Sequence, residues 1–296
     1  MSFSGDVKRE LGRQYSKAHH CQLAELAGIL EMTGSITGNP LILQLDSENE
    51  KLLDKYAALM RSAFNLNIKE SIEKENTIRI LKAMHWYEDR EEKQISLQLR
   101  TASPILLEKT CCKRAFIRGA FLAAGSISDP NKAYHFEIVC RTKEQALQLQ
   151  EMMNLFEVGA KIVERKARFV VYLKKGAEIV DMLNVMEAYV SLMNLENVRI
   201  LKEMSNSIHR QVNCETANID KTANAAARQL EDIELIRTRM GFDKLPQNLR
   251  EMAEVRMEYS TAPLKELGQY LDPPVGKSGV NHRLRRLAEI ADQLRG

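Results

Sequence analysis

A segment of this chain occurs twice, and this repeat restricts the fold more than any other feature of the sequence. Residues 26–36, LAGILEMTGSI, match residues 117–127, IRGAFLAAGSI, at an offset of 91 residues. The matched positions include two glycines in each copy, Gly28 and Gly34 in the first and Gly119 and Gly125 in the second. Such a repeat predicts two copies of one supersecondary unit that pack against each other.

The residues that follow each copy match as well. An extended apolar run, LILQLDS in the first copy and HFEIVCRT in the second, predicts a strand. A capping box that opens a helix comes next, with Ser47 and Glu50 in the first copy and Thr142 and Gln145 in the second. A strand, a charged turn and a second strand are then predicted over NIKESIEKENTIRILK and AKIVERKARFVVYLKK. Each unit is therefore predicted to be αββαββα.

Glycine inside an apolar helix needs a physical reason, because it costs about 1 kcal/mol relative to alanine. Close approach of a second backbone is such a reason for the two repeat glycines of each copy. We therefore expect the two glycine-bearing helices to pack side by side about a pseudo-twofold axis.

The first repeat, LAGILEMTG, resembles the LAGLIDADG motif of homing endonucleases. The whole chain closely resembles the WhiA family of bacterial sporulation and cell-division regulators, in CCKRAFIRGAFLAAGSISDP, NCETANIDKTANAA and the terminal PPVGKSGVNHRLRRL. The resemblance implies an α+β fold, in which a duplicated LAGLIDADG-like αββαββα domain is followed by an all-α helix-turn-helix domain. It also implies roles in transcription regulation, cell division and chromosome segregation, and in sporulation where the organism sporulates.

We expect the duplicated domain over residues 1–205, with repeats at about 20–105 and 111–205. A helical linker is expected over 206–244 and the helix-turn-helix domain over 245–296. The linker contains polar residues among small ones: Asn213, Asn218, Asn224 and Arg228. DNA contact and a plain polar helix face are both open interpretations of this pattern, so no role is assigned to these residues.

In LAGLIDADG enzymes, the acidic residue before the last glycine of each copy binds the divalent metal ions that assist phosphodiester cleavage. The matching positions here are Thr33 and Ala124, and neither side chain can supply a carboxylate. Glu31 lies two residues earlier, about 200° around the helix, and is a poor substitute. We therefore expect no nuclease activity. The alternatives are an endonuclease that uses other carboxylates, such as Asp46 or Asp129, and a scaffold that recruits a protein partner through the duplicated domain.

The terminal segment DPPVGKSGVNHRLRR contains GKS, which also ends the phosphate-binding loop of many NTPases. That loop needs an earlier glycine at the position of Leu271 and a preceding strand, whereas LKELGQYL has a helical pattern. We instead predict a helix with Ser278 as its N-cap that continues to about Leu294. Its apolar stripe comprises Val280, Leu284, Leu287, Ala291 and Leu294. Together with the amphipathic segments LPQNLREMAEVRMEY and APLKELGQYL, this pattern indicates a helix-turn-helix.

The DNA contacts are predicted along this last helix. Four basic side chains are expected to bind phosphates or guanines: Lys277, Arg283, Arg285 and Arg286. Three further residues are expected nearest the DNA groove: Ser278, Asn281 and His282. The expected partner is double-stranded DNA in promoter regions, with the chain's own promoter as a candidate. The sequence indicates no catalytic residue, no metal ligand and no cofactor.

Net charge and composition limit the classes of binding partner and the cellular location that can be expected. The net charge is only +3, from 43 basic and 40 acidic residues, so no general affinity for polyanions is expected. No run approaches the roughly 18–20 apolar residues that cross a bilayer, and the amino-terminal residues lack a secretory pattern. We expect a cytoplasmic protein without a membrane partner, with association with the nucleoid as one alternative. The five cysteines include no CxxC pair and no histidine at zinc-finger spacing, which indicates neither a metal site nor a disulfide framework.

Overall fold

The computed structural model describes residues 2–37, 42–67, 71–72, 74–86 and 101–296. The chain forms two compact units, residues 1–202 and residues 203–296. The first unit contains α1 (Phe3–Gly12), α2 (His19–Thr33), α3 (Glu50–Phe64), α4 (Lys74–Ala83), α5 (Thr110–Ala124), α6 (Lys143–Asn154) and α7 (Gly176–Met186). Its strands are β1 (Gly34–Thr37), β2 (Ile42–Leu45), β3 (Ser71–Ile72), β4 (Gly125–Ile127), β5 (Phe136–Cys140), β6 (Lys161–Arg165) and β7 (Arg168–Leu173). Helix α8 (Tyr189–Arg239) begins in the first unit and ends in the second, which also contains a 3-10 turn (Phe242–Lys244), α9 (Gln247–Glu258), α10 (Leu264–Leu267) and α11 (Lys277–Arg295).

Helices α2 and α5 form the centre of the first unit, and each brings one repeat glycine against the other helix. A Cβ atom on Gly28 would clash with the backbone carbonyl of Phe116, and a Cβ atom on Gly119 would clash with that of Glu25. Glu25 and Phe116 are themselves matched by the offset of 91 residues. The predicted side-by-side packing about a pseudo-twofold axis is therefore confirmed for this pair of glycines.

The second repeat glycine of each copy begins a strand. Gly34 lies opposite Leu45 in the β1–β2 pair, and Gly125 lies opposite Ile138 in the β4–β5 pair. A Cβ atom on Gly125 would meet the ring of Phe121 in its own helix rather than the other copy. The close helix approach predicted for both repeat glycines is thus wrong for Gly125, because the chain has already turned into the sheet at this residue.

The described strands form two antiparallel sheets, with the orders β1-β2-β3 and β4-β5-β7-β6. The second copy follows the predicted αββαββα order from α5 to α7. In the first copy, the strand predicted over TIRILK is wrong, because these residues belong to helix α4. The hydroxyl of Thr77 accepts from the Leu43 N–H of β2 at 3.2 Å and donates to the Ile72 carbonyl of β3 at 2.7 Å, which fixes this helix against the sheet. The strand predicted over NIKES falls largely on residues 68–70, outside the described residues.

One of the two predicted capping boxes is confirmed. The hydroxyl of Thr142 accepts from the Gln145 N–H at 3.3 Å, and the Gln145 side chain accepts from the Thr142 N–H at 3.2 Å. The box predicted for Ser47 and Glu50 is wrong, because α3 has Asn49 as its N-cap. Asparagine is at least as good an N-cap as serine, and it stands directly before the first helical residue.

A buried ionic cluster ties the elements around α2 and α5 together. The carboxylate of Glu25 lies 3.0 Å from Lys55 Nζ of α3 and 3.1 Å from Arg118 Nη2 of α5. Arg118 also contacts Glu187, directly after α7, at 2.8 Å. Removing Glu25 would leave Lys55 buried without an ion-pair partner, which is strongly destabilising. The cluster therefore fixes which surfaces of the helices face each other.

The second unit has its own core, built from the end of α8 together with α9, α10 and α11. Its buried members include Ile233, Ile236, Leu249, Met252, Leu267, Val280, Leu284, Leu287 and Ala291. The predicted stripe of α11 is confirmed: four of its residues are buried, and Leu294 is half-buried against the same core.

The turn before α11 differs from the prediction. The segment APLKELGQYL is helical only over Leu264–Leu267, because the chain turns back at Gly268, whose carbonyl accepts from the Val275 N–H at 2.8 Å. A Cβ atom on Gly268 would clash with the Val275 carbonyl. Helix α11 has Gly276 as its N-cap, so Ser278 lies in the first turn and the predicted Ser278 cap is wrong.

The substitution Gly28→Ala is expected to lower the Tm strongly, because the new methyl group would push against the Phe116 carbonyl and separate α2 from α5. Added volume in a packed contact costs about 1–3 kcal/mol, and more where the backbone has to move. The matched control is Gly12→Ala in α1, where nothing lies within 4 Å of the added atom. Thermal unfolding measured by circular dichroism should show a lower Tm for Gly28→Ala and a wild-type Tm for Gly12→Ala. Equal Tm values in the two variants would contradict the close contact between α2 and α5.

Candidate nucleic-acid interface

Helix α11 has one buried face and one exposed face. The apolar stripe lies against α9 and α10, whereas the opposite side carries the candidate residues from the sequence. Six of these are exposed: Lys277, Ser278, Asn281, His282, Arg285 and Arg286. The seventh, Arg283, is half-buried at the edge of the stripe. The structure thus places most of the predicted contact residues on a single accessible surface of one helix.

The basic side chains of α11 differ in their protein partners. Arg283 Nη1 donates to the Asn248 carbonyl of α9 at 3.3 Å, and Arg286 Nη1 lies 2.6 Å from a carboxylate oxygen of Glu289. Within the part of the chain that the structure describes, Lys277 and Arg285 have neither an ion pair nor a hydrogen bond. These two cations are therefore the ones most available to an external anion.

Helix α8 forms the opposite wall of a cavity beside α11, with a volume of about 440 Å³. Its lining includes Lys221, Asn224 and Arg228 from α8 and Asn281 and Arg285 from α11. Sequence analysis left Asn224 and Arg228 without a role and did not consider Lys221. The signal that could have found them is their spacing of three and four residues, which places all three on one face of a helix.

A second cavity of about 420 Å³ extends this surface. It shares Lys221 and Asn281 with the first and adds Lys265, which follows the first residue of α10, and Lys277. Cations from α8, α10 and α11 therefore line one surface. The carboxylate in the first cavity, Asp232, lies 2.5 Å from Arg295, so that its charge is compensated within the protein.

This arrangement suits a polyanion with hydrogen-bonding groups between its charges. Lysine and arginine without internal partners bind phosphate oxygens, and asparagine amides offer a donor and an acceptor to a base edge. Recognition helices usually contact bases through their first turns, which is where Ser278, Asn281 and His282 lie.

The positions that carry metal-binding acids in LAGLIDADG enzymes have a structural role here. Thr33 ends α2, and its hydroxyl donates to the Ile29 carbonyl at 2.8 Å; Ala124 ends α5. Glu31 is buried, and its Oε2 accepts from the Ala102 N–H at 2.9 Å. Burial raises the pKa of Glu31 to about 8. A buried carboxyl group of this kind is a poor ligand for a magnesium ion at a DNA surface.

The two other acids considered as metal ligands also have protein partners. Asp46 Oδ2 lies 3.4 Å from Arg141 Nη2. Asp129 Oδ1 accepts from the backbone N–H of Asn131 at 2.9 Å, and this hydrogen bond lowers the pKa of Asp129. Among the described residues, no group of three or more carboxylates converges as metal ligands would.

Comparison with known proteins covers both units. A family model described as the WhiA LAGLIDADG-like domain matches residues 113–205, and one described as the WhiA C-terminal HTH domain matches residues 208–291. The fold is similar to that in the crystal structure of full-length DUF199/WhiA from Thermatoga maritima, with a TM-score of 0.58, 24% identity and 99% of each chain covered. The chain is thus of a class in which a duplicated LAGLIDADG-like α+β domain precedes an all-α helix-turn-helix domain, as predicted.

Two relatives, both named "Probable cell division protein WhiA", match over essentially their full length. The one from Lachnoclostridium phytofermentans is 49% identical and covers 100% of both chains. The one from Alkaliphilus oremlandii is 45% identical and covers 99% of this chain and 98% of its own. The chain belongs to the WhiA family of cell division proteins. Its helix-turn-helix domain supports the interpretation of this protein as a DNA-binding regulator.

None of the described helices combines the length and the apolar character needed to cross a bilayer.

Replacing Glu31 by glutamine is expected to flatten the pH dependence of stability. The carboxyl group has an ordinary pKa of 4.5 when the chain is unfolded and about 8 in the fold. The stabilisation that this group contributes is therefore greatest below pH 4.5 and falls by up to about 5 kcal/mol as the pH rises towards 8. Between pH 5 and pH 8, the Tm of Glu31→Gln should fall less than the Tm of wild type. The exposed control Glu48→Gln should show the same pH dependence as wild type. A wild-type pH profile in the Glu31 variant would show that this carboxyl group is not the cause.

Proposed function

We propose that this protein is a non-enzymatic DNA-binding regulator that acts in transcription, cell division and chromosome segregation and binds DNA through its second unit. The observation that carries the proposal is the cationic surface formed by α8 and α11. Its charges have few internal partners, and it belongs to a helix-turn-helix domain.

The proposed contacts divide by their chemistry. Phosphate or guanine binding is assigned to the basic side chains of α11, which are Lys277, Arg283, Arg285 and Arg286, and to two from α8, which are Lys221 and Arg228. Groove contacts are assigned to Ser278, Asn281 and His282, with Asn224 on the neighbouring helix. Arg285 is central among them, because it lines the cavity between the two helices and has no partner within the described residues.

The absence of nuclease activity is part of the proposal. It is supported by Thr33 and Ala124 at the positions of the metal-binding acids and by the burial of Glu31. Metal-assisted cleavage needs carboxylates that converge on one phosphate. The three acids considered as metal ligands, Glu31, Asp46 and Asp129, all have partners within the protein.

The remaining assignments rest on the family and on the composition. We propose promoter DNA as the target, including the chain's own promoter, in a cytoplasmic protein that associates with the nucleoid. A role in sporulation follows where the organism sporulates. The functional boundaries proposed are residues 1–205 for the duplicated domain, 206–244 for the linker and 245–296 for the helix-turn-helix domain, with the end of α8 contributing to the DNA surface.

Single substitutions Arg285→Ala and Arg228→Ala are each expected to weaken DNA binding by about 1–3 kcal/mol. Where the lost contact is to a phosphate, the slope of log affinity against log salt should become shallower by about 0.9. The matched control is Arg237→Ala, because Arg237 is an exposed α8 arginine that is paired with Glu234 at 2.7 Å and lies outside both cavities. Fluorescence anisotropy with a promoter duplex at several salt concentrations measures both quantities. Wild-type affinity and slope in the first two variants, or an equal loss in the control, would exclude this surface.

A further inference from the structure

The amino-terminal ends of α2 and α5 bring together sulfur and nitrogen ligands from the two copies of the repeat. His20 and Cys21 lie in the first turn of α2, and Cys111 and Cys112 lie in the first turn of α5. The repeat offset of 91 residues matches His20 with Cys111 and Cys21 with Cys112. The pseudo-twofold axis that joins the glycines therefore also places these four residues opposite one another.

The four ligand atoms are close enough to bind a single ion. One histidine nitrogen and three cysteine Sγ atoms all lie within 4.8 Å of one another. His20 Nδ1 is 3.2 Å from Cys112 Sγ and 3.3 Å from Cys21 Sγ. A tetrahedral zinc ion with ordinary bond lengths separates two sulfurs by about 3.8 Å, and a sulfur and a nitrogen by about 3.6 Å. Shifts of roughly 1 Å or less would therefore satisfy a tetrahedral site.

The surroundings act on the thiols in opposite directions, because burial raises the pKa of Cys21 and that of Cys112 whereas the helix ends favour negative charge. Neither α2 nor α5 has a side-chain cap, since the N-cap residues Ala18 and Lys109 make no such hydrogen bond. Uncapped helix amino termini stabilise negative charge and lower the cost of cysteine ionisation. Two helix ends of this kind meet at the cluster, and a bound metal ion would itself supply the positive charge that keeps coordinating thiols deprotonated.

An entry path is also present. Cys21 and Cys112 are buried, whereas Cys111 is exposed. A cavity of about 420 Å³ is lined by both Cys21 and Cys111. Solvent and a metal ion can therefore reach the cluster without opening the core.

We propose that His20, Cys21, Cys111 and Cys112 bind one zinc ion in a tetrahedral three-cysteine, one-histidine site that joins the first turns of α2 and α5. Four protein ligands leave no open position, so the site is structural rather than catalytic. Sequence analysis found no metal site because the ligands are adjacent pairs on distant segments. The signal that it did not use was the match of Cys21 with Cys112 within the repeat.

The test uses the full chain, expressed in zinc-supplemented medium and purified with a reductant and without chelator. Elemental analysis should find one zinc ion per chain, and cobalt added to the metal-free protein should give thiolate charge-transfer absorption and tetrahedral d–d bands. The first variant is Cys111→Ser, because its side chain is exposed. The control is Cys214→Ser, an exposed cysteine of the second unit.

Loss of a direct ligand should weaken zinc binding by more than the roughly 10- to 100-fold typical of changes to residues that support a ligand. We therefore expect Cys111→Ser to lose zinc and the cobalt spectrum, whereas the control keeps both. A chelator should lower the Tm of wild type and of the control but not that of Cys111→Ser. A second variant, His20→Ala, should behave like Cys111→Ser, which keeps the test valid if one variant folds poorly.

Three results would overturn the proposal. One is a wild-type protein that holds no zinc and gives no cobalt spectrum. Another is metal binding that is equal in Cys111→Ser, His20→Ala and the control. The third is a mass that shows only a disulfide among these cysteines under reducing purification, with no metal. All three readouts are independent of DNA binding, so the proposal stands or fails separately from the proposed function.

Discussion

The backbone contact between α2 and α5 at Gly28 and Gly119 is the constraint on which the first unit depends. It fixes the two helices side by side. At its carboxyl end each helix leads into the strand pair of one sheet, and at its amino end its first turn lies beside the first turn of the other helix. The buried ion pairs of Glu25 are next to this contact and add the third helix. One symmetric approach thus determines the sheets, the ionic cluster and the proposed metal site.

The same geometry explains how the fold forms without acidic residues at the carboxyl ends of α2 and α5. The carboxyl ends of α2 and α5 need only residues that let the chain turn into a strand, and Thr33 and Ala124 meet that requirement. The surface that we propose binds a polyanion lies in the second unit, where cations on α8 and α11 line adjoining cavities. Scaffold and proposed contact surface therefore belong to different units.

The sequence predicted those parts that depend on periodicity and repetition. The two glycine-bearing helices, the second αββαββα copy and the apolar stripe of α11 all follow from local spacing. Helix α4 could not be predicted from local spacing, because its position depends on hydrogen bonds of Thr77 to two strands, one of which is 34 residues away in the sequence. The turn at Gly268 and the placement of Arg228 beside the same cavity as Arg285 also depend on tertiary contacts. The same is true of the contact between His20 and Cys112. Sequence spacing alone does not report which segments meet in space.

The central claim is that the protein binds DNA through its second unit without cutting it. The most direct measurement is a gel shift on genomic fragments, including the chain's own promoter, with and without magnesium, for wild type and an Arg285→Ala/Arg286→Ala variant. The account predicts intact, retarded DNA with wild type under both conditions and loss of binding in the variant. Magnesium-dependent cleavage, or binding that is indifferent to both arginines, would contradict it and assign the function to the duplicated domain.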